Sequence, residues 1–202
     1  MKVTLISHTP FSEYVIMKAG LITRGRQHPP SSLFSKERFI RKLIEKGHHS
    51  ILEFGYATFL VEGVSRALLA QITRHRLASF AVESQRHTKP KSEIVIPPTI
   101  TQDPELKGEY KEIAQKCFAL YEKMVERGIP KEDARFILPN ATPTAFIISA
   151  NFREWRHILQ LRLASDAQWE IRELCREIAK QLSLIAPSVF EDLVKKRNER
   201  GG

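Results

Sequence analysis

The chain has 202 residues, 42% of them hydrophobic and 27% charged, with a formal net charge of +9 at pH 7. That length suits one well-buried domain, and that balance of apolar and charged residues excludes a disordered chain. The positive excess asks for anionic partners, and nucleic acid, nucleotides, phosphorylated cofactors and folates all qualify.

KVTLIS (2–7) reads as a strand, and residues 11–20 as a short helix after Pro10. The apolar part of this start is too short for a signal peptide, and no run is long enough to span a bilayer. RGRQHPPSSLF (24–34), with its paired prolines and serines, predicts a loop. Ser35 fits a helix N-cap, followed by Phe39, Ile40, Leu43 and Ile44 on one face and Gly47 as the stop. YATFLVE (56–62) has strand composition. In VSRALLAQITRHR, the four-residue spacing of Val64, Leu68 and Ile72 predicts a helix that ends at Arg74, His75 and Arg76. EIVIP (93–97) is a short extended piece. A long amphipathic helix over 103–127 stops at Gly128, and Pro130 opens another, PKEDARFIL, that Pro139 ends. TPTAFIISA (142–150) is a strand, and 151–163 and 167–186 are helices, with KKRNERGG (195–202) as a flexible tail. The sum is one α+β domain over 1–202 with more helix than strand.

Charge concentrates in RHRLASFAVESQR (74–86). A helix C-terminus favours a cation, but three in a row exceed that need. Ser79, Ser84 and Arg86 add the hydroxyl and guanidinium donors that hold phosphate and uracil-like carbonyls. In NFREWRHILQLR, Phe152, Trp155, Ile158 and Leu159 form an apolar stripe, with Arg153, Arg156, His157 and Gln160 opposite. Arg162 breaks the division by falling within the stripe. A guanidinium cannot shed its proton, so it needs an anionic or carbonyl partner. A buried ion pair, a helix-end arginine bending to water and a functional cation all meet that need. Cys117 and Cys175 make neither a disulfide framework nor a metal spacing, which fits a reducing, cytoplasmic compartment. His48 and His49 lack a second ligand cluster, which argues against a metal, and there is no glycine-rich dinucleotide loop or Walker loop.

Arg74-His75-Arg76, then seven residues, then Ser84 resembles the RHR-x7-S signature of the flavin-dependent thymidylate synthases, the ThyX family. GHHSILEF (47–54), ARFILP (134–139), NFREWRHILQLR and DAQWEIR resemble the family's other segments, in the family's order, over nearly the whole chain. The resemblance implies a helix-rich fold around a central, mainly antiparallel sheet, with active sites at the subunit interfaces of a homotetramer. It implies conversion of dUMP to dTMP with 5,10-methylenetetrahydrofolate as carbon donor and FAD, re-reduced by NADPH, as hydride donor. Nucleic acid, membrane and metal are not among the implied partners.

By matching position, His48, Ser50, Arg74, His75, Arg76, Val82, Asn151, Arg153 and His157 would form the flavin site. Gln71, Arg74, Val82, Glu83, Ser84, Gln85, Arg86 and Arg135 would hold dUMP. Arg162 would be the catalytic residue, stabilising the uracil ring as an anion over N3 and the C2 oxygen so that C5 becomes more nucleophilic. Ser84 would bond substrate rather than attack it. The sequence departs from the family where Ala81 and Val82 replace usual polar residues and His87 replaces a common Tyr. A side-chain hydrogen bond lost at Val82 costs about 1 kcal/mol or more. The alternatives are a family member with reduced or altered activity and a basic nucleic-acid-binding module. The scattered basic residues and missing nucleic-acid motifs speak against the module.

Overall fold

The structure, a computed structural model, describes residues 1–29, 35–90 and 92–195. The segment from Pro30 to Phe34 of the expected loop, and the tail beyond Lys195, lie outside the described residues. In chain order the elements are β1 (Lys2–His8), α1 (Ser12–Ile22), α2 (Lys36–Glu45), a 3-10 segment (His49–Phe54), β2 (Tyr56–Ser65), α3 (Arg66–Ile72) and β3 (Ser79–Val82). Then come α4 (Pro98–Thr101), α5 (Pro104–Glu126), α6 (Lys131–Ala134), a second 3-10 turn (Arg135–Ile137), β4 (Pro143–Asn151), α7 (Phe152–Arg162), α8 (Trp169–Ile185) and α9 (Pro187–Lys195). The strands form one antiparallel sheet in the order β1-β2-β4-β3, and the class is α+β.

Period-two burial makes the two inner strands. Ala57, Phe59 and Val61 are buried on β2, and Thr144, Phe146, Ile148 and Ala150 on β4. Side-chain caps set the helix starts. Ser35 accepts from the Arg38 amide, Asp103 from those of Glu105 and Leu106, and Asn151 from that of Glu154. The Ser65 hydroxyl likewise accepts from the Leu68 amide at 3.0 Å, and this corrects the expected helix through Val64. Ser65 stays extended as the last residue of β2 and the cap of α3, so Val64 lies in the strand, and α3 ends at Ile72. Arg74, His75 and Arg76 therefore lie in the turn after the helix rather than in it.

The chain divides into two compact units. One comprises residues 1–2, 61–74 and 81–146. In it α5 packs on α6 and the second 3-10 turn, and buries Ala114, Phe118 and Tyr121. The other comprises residues 3–60, 75–80 and the described chain from 147 onward. There α7 packs on α8 and on the first 3-10 segment, and α8 packs on α9. Trp155 meets Phe59 edge to face at 5.2 Å, and its indole N–H donates to the Ala57 carbonyl at 3.0 Å. Phe152 meets Phe190 of α9 at 5.0 Å.

α9 goes beyond the sequence reading. Pro187 breaks α8 and opens the next helix at the position where proline costs nothing. The Glu13 carboxylate accepts from the Ser188 amide at 2.7 Å, in the first turn of α9. α9 also corrects the reading of Arg156, expected on the polar face of α7. Arg156 is 6% exposed and donates to both carboxylate oxygens of Asp192, at 2.7 and 2.8 Å, and to the Val189 carbonyl. The face it occupies is polar, but α9 covers it.

Gly55 sits where β2 begins, and a Cβ there would lie 2.5 Å from Cδ2 of the buried Phe152. Gly55→Ala is expected to destabilise the protein by about 1–3 kcal/mol through overpacking, read as a lower denaturant midpoint at unchanged m-value.

Candidate functional site

In the second unit the site is organised by α7. The Asn151 cap fixes the helix phase, which puts Arg153 and His157 four residues apart on the exposed face and Glu154 on a buried one. Arg162 closes the helix, half-buried, and its Nε donates to Nε2 of His75 at 3.0 Å. His75 is only 6% exposed. Its Nδ1 faces Oε1 of Glu154 at 3.7 Å, and its ring meets that of His157 edge to face at 5.9 Å.

The Arg162 contact decides the protonation of His75. A guanidinium only donates, so Nε2 must carry a lone pair. The imidazole is therefore neutral, with its proton on Nδ1 toward Glu154. A charged imidazolium, as a full ion pair with Glu154 requires, would set two N–H groups head to head at 3.0 Å. At 3.7 Å the Glu154 contact is electrostatic rather than a hydrogen bond. Burial pushes the Glu154 carboxyl pKa up, with His157 opposing. An imidazole is thus among the partners of Arg162, a kind of acceptor the sequence argument did not name.

On the exposed side, Arg153 pairs with Glu53 of the first 3-10 segment at 2.5 Å. Gly47, at φ +78°, turns the chain out of α2 into that segment. His48 and Ser50 lie exposed there, outside the His75–Arg162 group, while His49 contacts the Ile44 carbonyl. Arg76 is exposed, unlike its neighbour His75. Cations and neutral donors at Arg76, Arg153, His157 and Ser50 fit an anionic cofactor, since guanidinium groups match the geometry of phosphate oxygens.

In the first unit, Arg86 and Arg135 meet at one residue. Arg86 Nε pairs with Oε2 of Glu132 at 2.7 Å, and Arg135 Nε donates to the Glu132 carbonyl at 3.1 Å. Burial and the nearby Arg135 push the Arg66 guanidinium pKa down, a mark of crowded positive charge. Ser84 builds the turn around Arg86. Its hydroxyl accepts from the Arg86 amide, and its carbonyl accepts from the Thr88 hydroxyl at 2.9 Å. Gln85 is buried, and its Nε2 has no hydrogen-bond partner among the described residues. Such a buried donor calls for a bound acceptor. Gln71 is half-buried on the last turn of α3, and Arg74 is exposed just beyond it. Val82 is 37% exposed at the end of β3, and the Glu83 amide bonds the Ala145 carbonyl.

Sequence reasoning missed the carboxylates Glu53, Glu132 and Glu154. Each engages an expected site residue that is remote in sequence: Arg153, Arg86 and His75 respectively. Only Glu154 carries a local signal, standing three residues after a capping Asn.

The thymidylate synthase complementing protein family matches residues 4–188. A flavin-dependent thymidylate synthase of Geobacter sulfurreducens is 35% identical over 200 residues, covering 95% of this chain and 86% of the relative. One of Pyrococcus horikoshii is 41% identical over 199 residues, covering 91% and 82%. A third, of Thermococcus kodakarensis, is 44% identical over 152 residues, covering 73% and 62%. The chain belongs to the flavin-dependent thymidylate synthase family.

Neither cysteine is one of these site residues, although Arg162 lies close enough to Cys175 to oppose the rise of its thiol pKa. Cys175 is fully buried, and burial pushes its thiol up to about 12, while Cys117 is half-buried on α5. A thiol reagent at about pH 8 is expected to titrate Cys117 alone in the native protein and both cysteines after unfolding. Fast native labelling of Cys175 would contradict the packing of α8.

Proposed function

We propose that the chain catalyses reductive methylation of dUMP to dTMP, with 5,10-methylenetetrahydrofolate as carbon donor, FAD as flavin and NADPH as reductant. The observation that carries this reading is Arg162, a permanent cation held at the end of α7 by a neutral imidazole. The bond to His75 Nε2 orients the guanidinium, and a bond to an uncharged ring does not itself neutralise it. Such a cation would stabilise the negative charge that develops over N3 and the C2 oxygen when the uracil ring is activated. Arg86 and Arg135, drawn together at Glu132, would hold the nucleotide phosphate. Gln85, with Ser84 and Gln71, would donate to or accept from the base and sugar.

The flavin site would draw on His48, Ser50, Arg74, His75, Arg76, Val82, Asn151, Arg153 and His157, the positions that match the family's. When bound and reduced the flavin supplies the hydride. Without a glycine-rich dinucleotide loop, a site shared between copies in a homotetramer suits this chain. The substrates are soluble anions, and among the described residues no helix is long and apolar enough to cross a membrane. Substrates of that kind favour a cytoplasmic enzyme. Val82 supports a second reading, the same fold with weakened activity, because an aliphatic group half-open at the end of β3 cannot replace a polar ligand contact.

The purified protein is expected to be yellow and to form dTMP from dUMP, methylenetetrahydrofolate and NADPH, with Arg162→Lys lowering kcat about a hundredfold. Bound flavin without dTMP formation would select the second reading, and a colourless protein would defeat both. Glu132 competes with phosphate for Arg86 through an exposed ion pair worth under about 1 kcal/mol. Glu132→Gln is therefore expected to lower the KM for dUMP by about twofold to fivefold. An unchanged KM would remove Glu132 from the substrate site.

A further inference from the structure

The reaction outlined above gives Glu154 no task, yet its placement is demanding. It is 5% exposed in the first turn of α7, with Oε1 3.7 Å from His75 Nδ1. A buried carboxylate weakens a fold unless it is well paired. Because its pKa is raised in the folded protein, whatever stability the protonated form contributes is lost as pH rises through that pKa. The ionised group therefore works against folding, and a local capping role would be filled more cheaply by a side chain left in water.

We propose that Glu154 is a positioning residue for Arg162: it draws the His75 proton to Nδ1, leaving Nε2 as the acceptor that fixes the guanidinium. This rests on reading Arg162 as the cation that activates the ring. The geometry runs in one direction. Glu154 faces Nδ1, His75 is locked by burial, and Nε2 meets Arg162 Nε at 3.0 Å. An anchor at Nε fixes the plane of the guanidinium, which a contact at a terminal nitrogen would leave freer to turn. A proton on Nε2 instead would oppose the Arg162 N–H and push the guanidinium away. No bond is made or broken and no proton leaves the chain of groups. The effect is orientation, as with the outer partners that set the tautomer of metal-bound histidines.

The test uses the full, flavin-loaded protein and its Glu154→Gln and Glu154→Asp variants. With no substrate present, 15N spectra of the imidazoles, assigned through His75→Asn, should show His75 neutral and protonated on Nδ1. The Arg162 Nε–H should exchange slowly with solvent, and about tenfold faster in Glu154→Gln. In turnover, Glu154→Gln should lower kcat about tenfold to a hundredfold with the KM for dUMP within about threefold, and Glu154→Asp should restore part of the rate. In a His75→Asn background, Glu154→Gln should add less than about threefold. The thermal midpoint should not fall, since a buried charge is removed. A His75 imidazolium, an Nε2–H tautomer, unchanged Arg162 exchange, or a kcat within about twofold of wild type at full flavin loading overturns the proposal. So does an equal loss in the His75→Asn background. If the wild-type protein forms no dTMP, the reaction assignment fails, while the tautomer and exchange measurements still judge the role of Glu154.

Discussion

The indole of Trp155 fixes the helix on which the candidate chemistry depends. It is fully buried, edge-on to Phe59 and bonded to the Ala57 carbonyl, so one side chain ties α7 to β2 by packing and by a directional bond. Burying an aromatic of this size contributes about 2–3 kcal/mol, and the bond about 1 kcal/mol more. The directional part matters for function. An apolar stripe alone lets a helix slide or roll, whereas a bonded indole fixes its rotation. Arg153, Glu154, His157 and Arg162 inherit their directions from that one setting.

Around this frame the chain uses its scarcer sign of charge selectively. With an excess of +9, carboxylates are the limiting groups. Glu53 engages Arg153, Glu132 engages Arg86, Asp192 holds the buried Arg156, and Glu154 stands behind His75. Burial separates their roles. The exposed pairs of Arg153 and Arg86 are weak and can be exchanged for a ligand's anion. The Arg156 pair is buried on its arginine side, and removing Asp192 would leave that guanidinium without its carboxylate, so it belongs to the fold.

The long elements were legible because each carries its own punctuation. α5 begins at Asp103 and Pro104 and gives way to Gly128, and α7 begins at Asn151. β3 was not legible. It is four residues long and exists through pairing with β4, which no local signal announces. α9 was missed because Pro187 reads as an end when it also serves as a beginning. At the site, the cations could be named from composition and resemblance, but their partners could not. Arg162 shows the limit. Helical phase placed it at the apolar stripe and chemistry demanded a partner, but His75 lies 87 residues away in sequence. Only the fold supplies that neighbour.

The turn after α3 has a consequence for how the chain tolerates change. Arg74, His75 and Arg76 are consecutive, yet the outer two are exposed and the middle one is buried. The motif is thus two kinds of information written alternately. Its arginines face the surface, where the flavin is proposed to bind, and its histidine faces the interior. Drift at either arginine would register as altered affinity in a protein that still folds, whereas drift at the histidine would unsettle the interior first. Three adjacent letters thus sit in two different environments, so a change at one need not share its consequence with a change at the next.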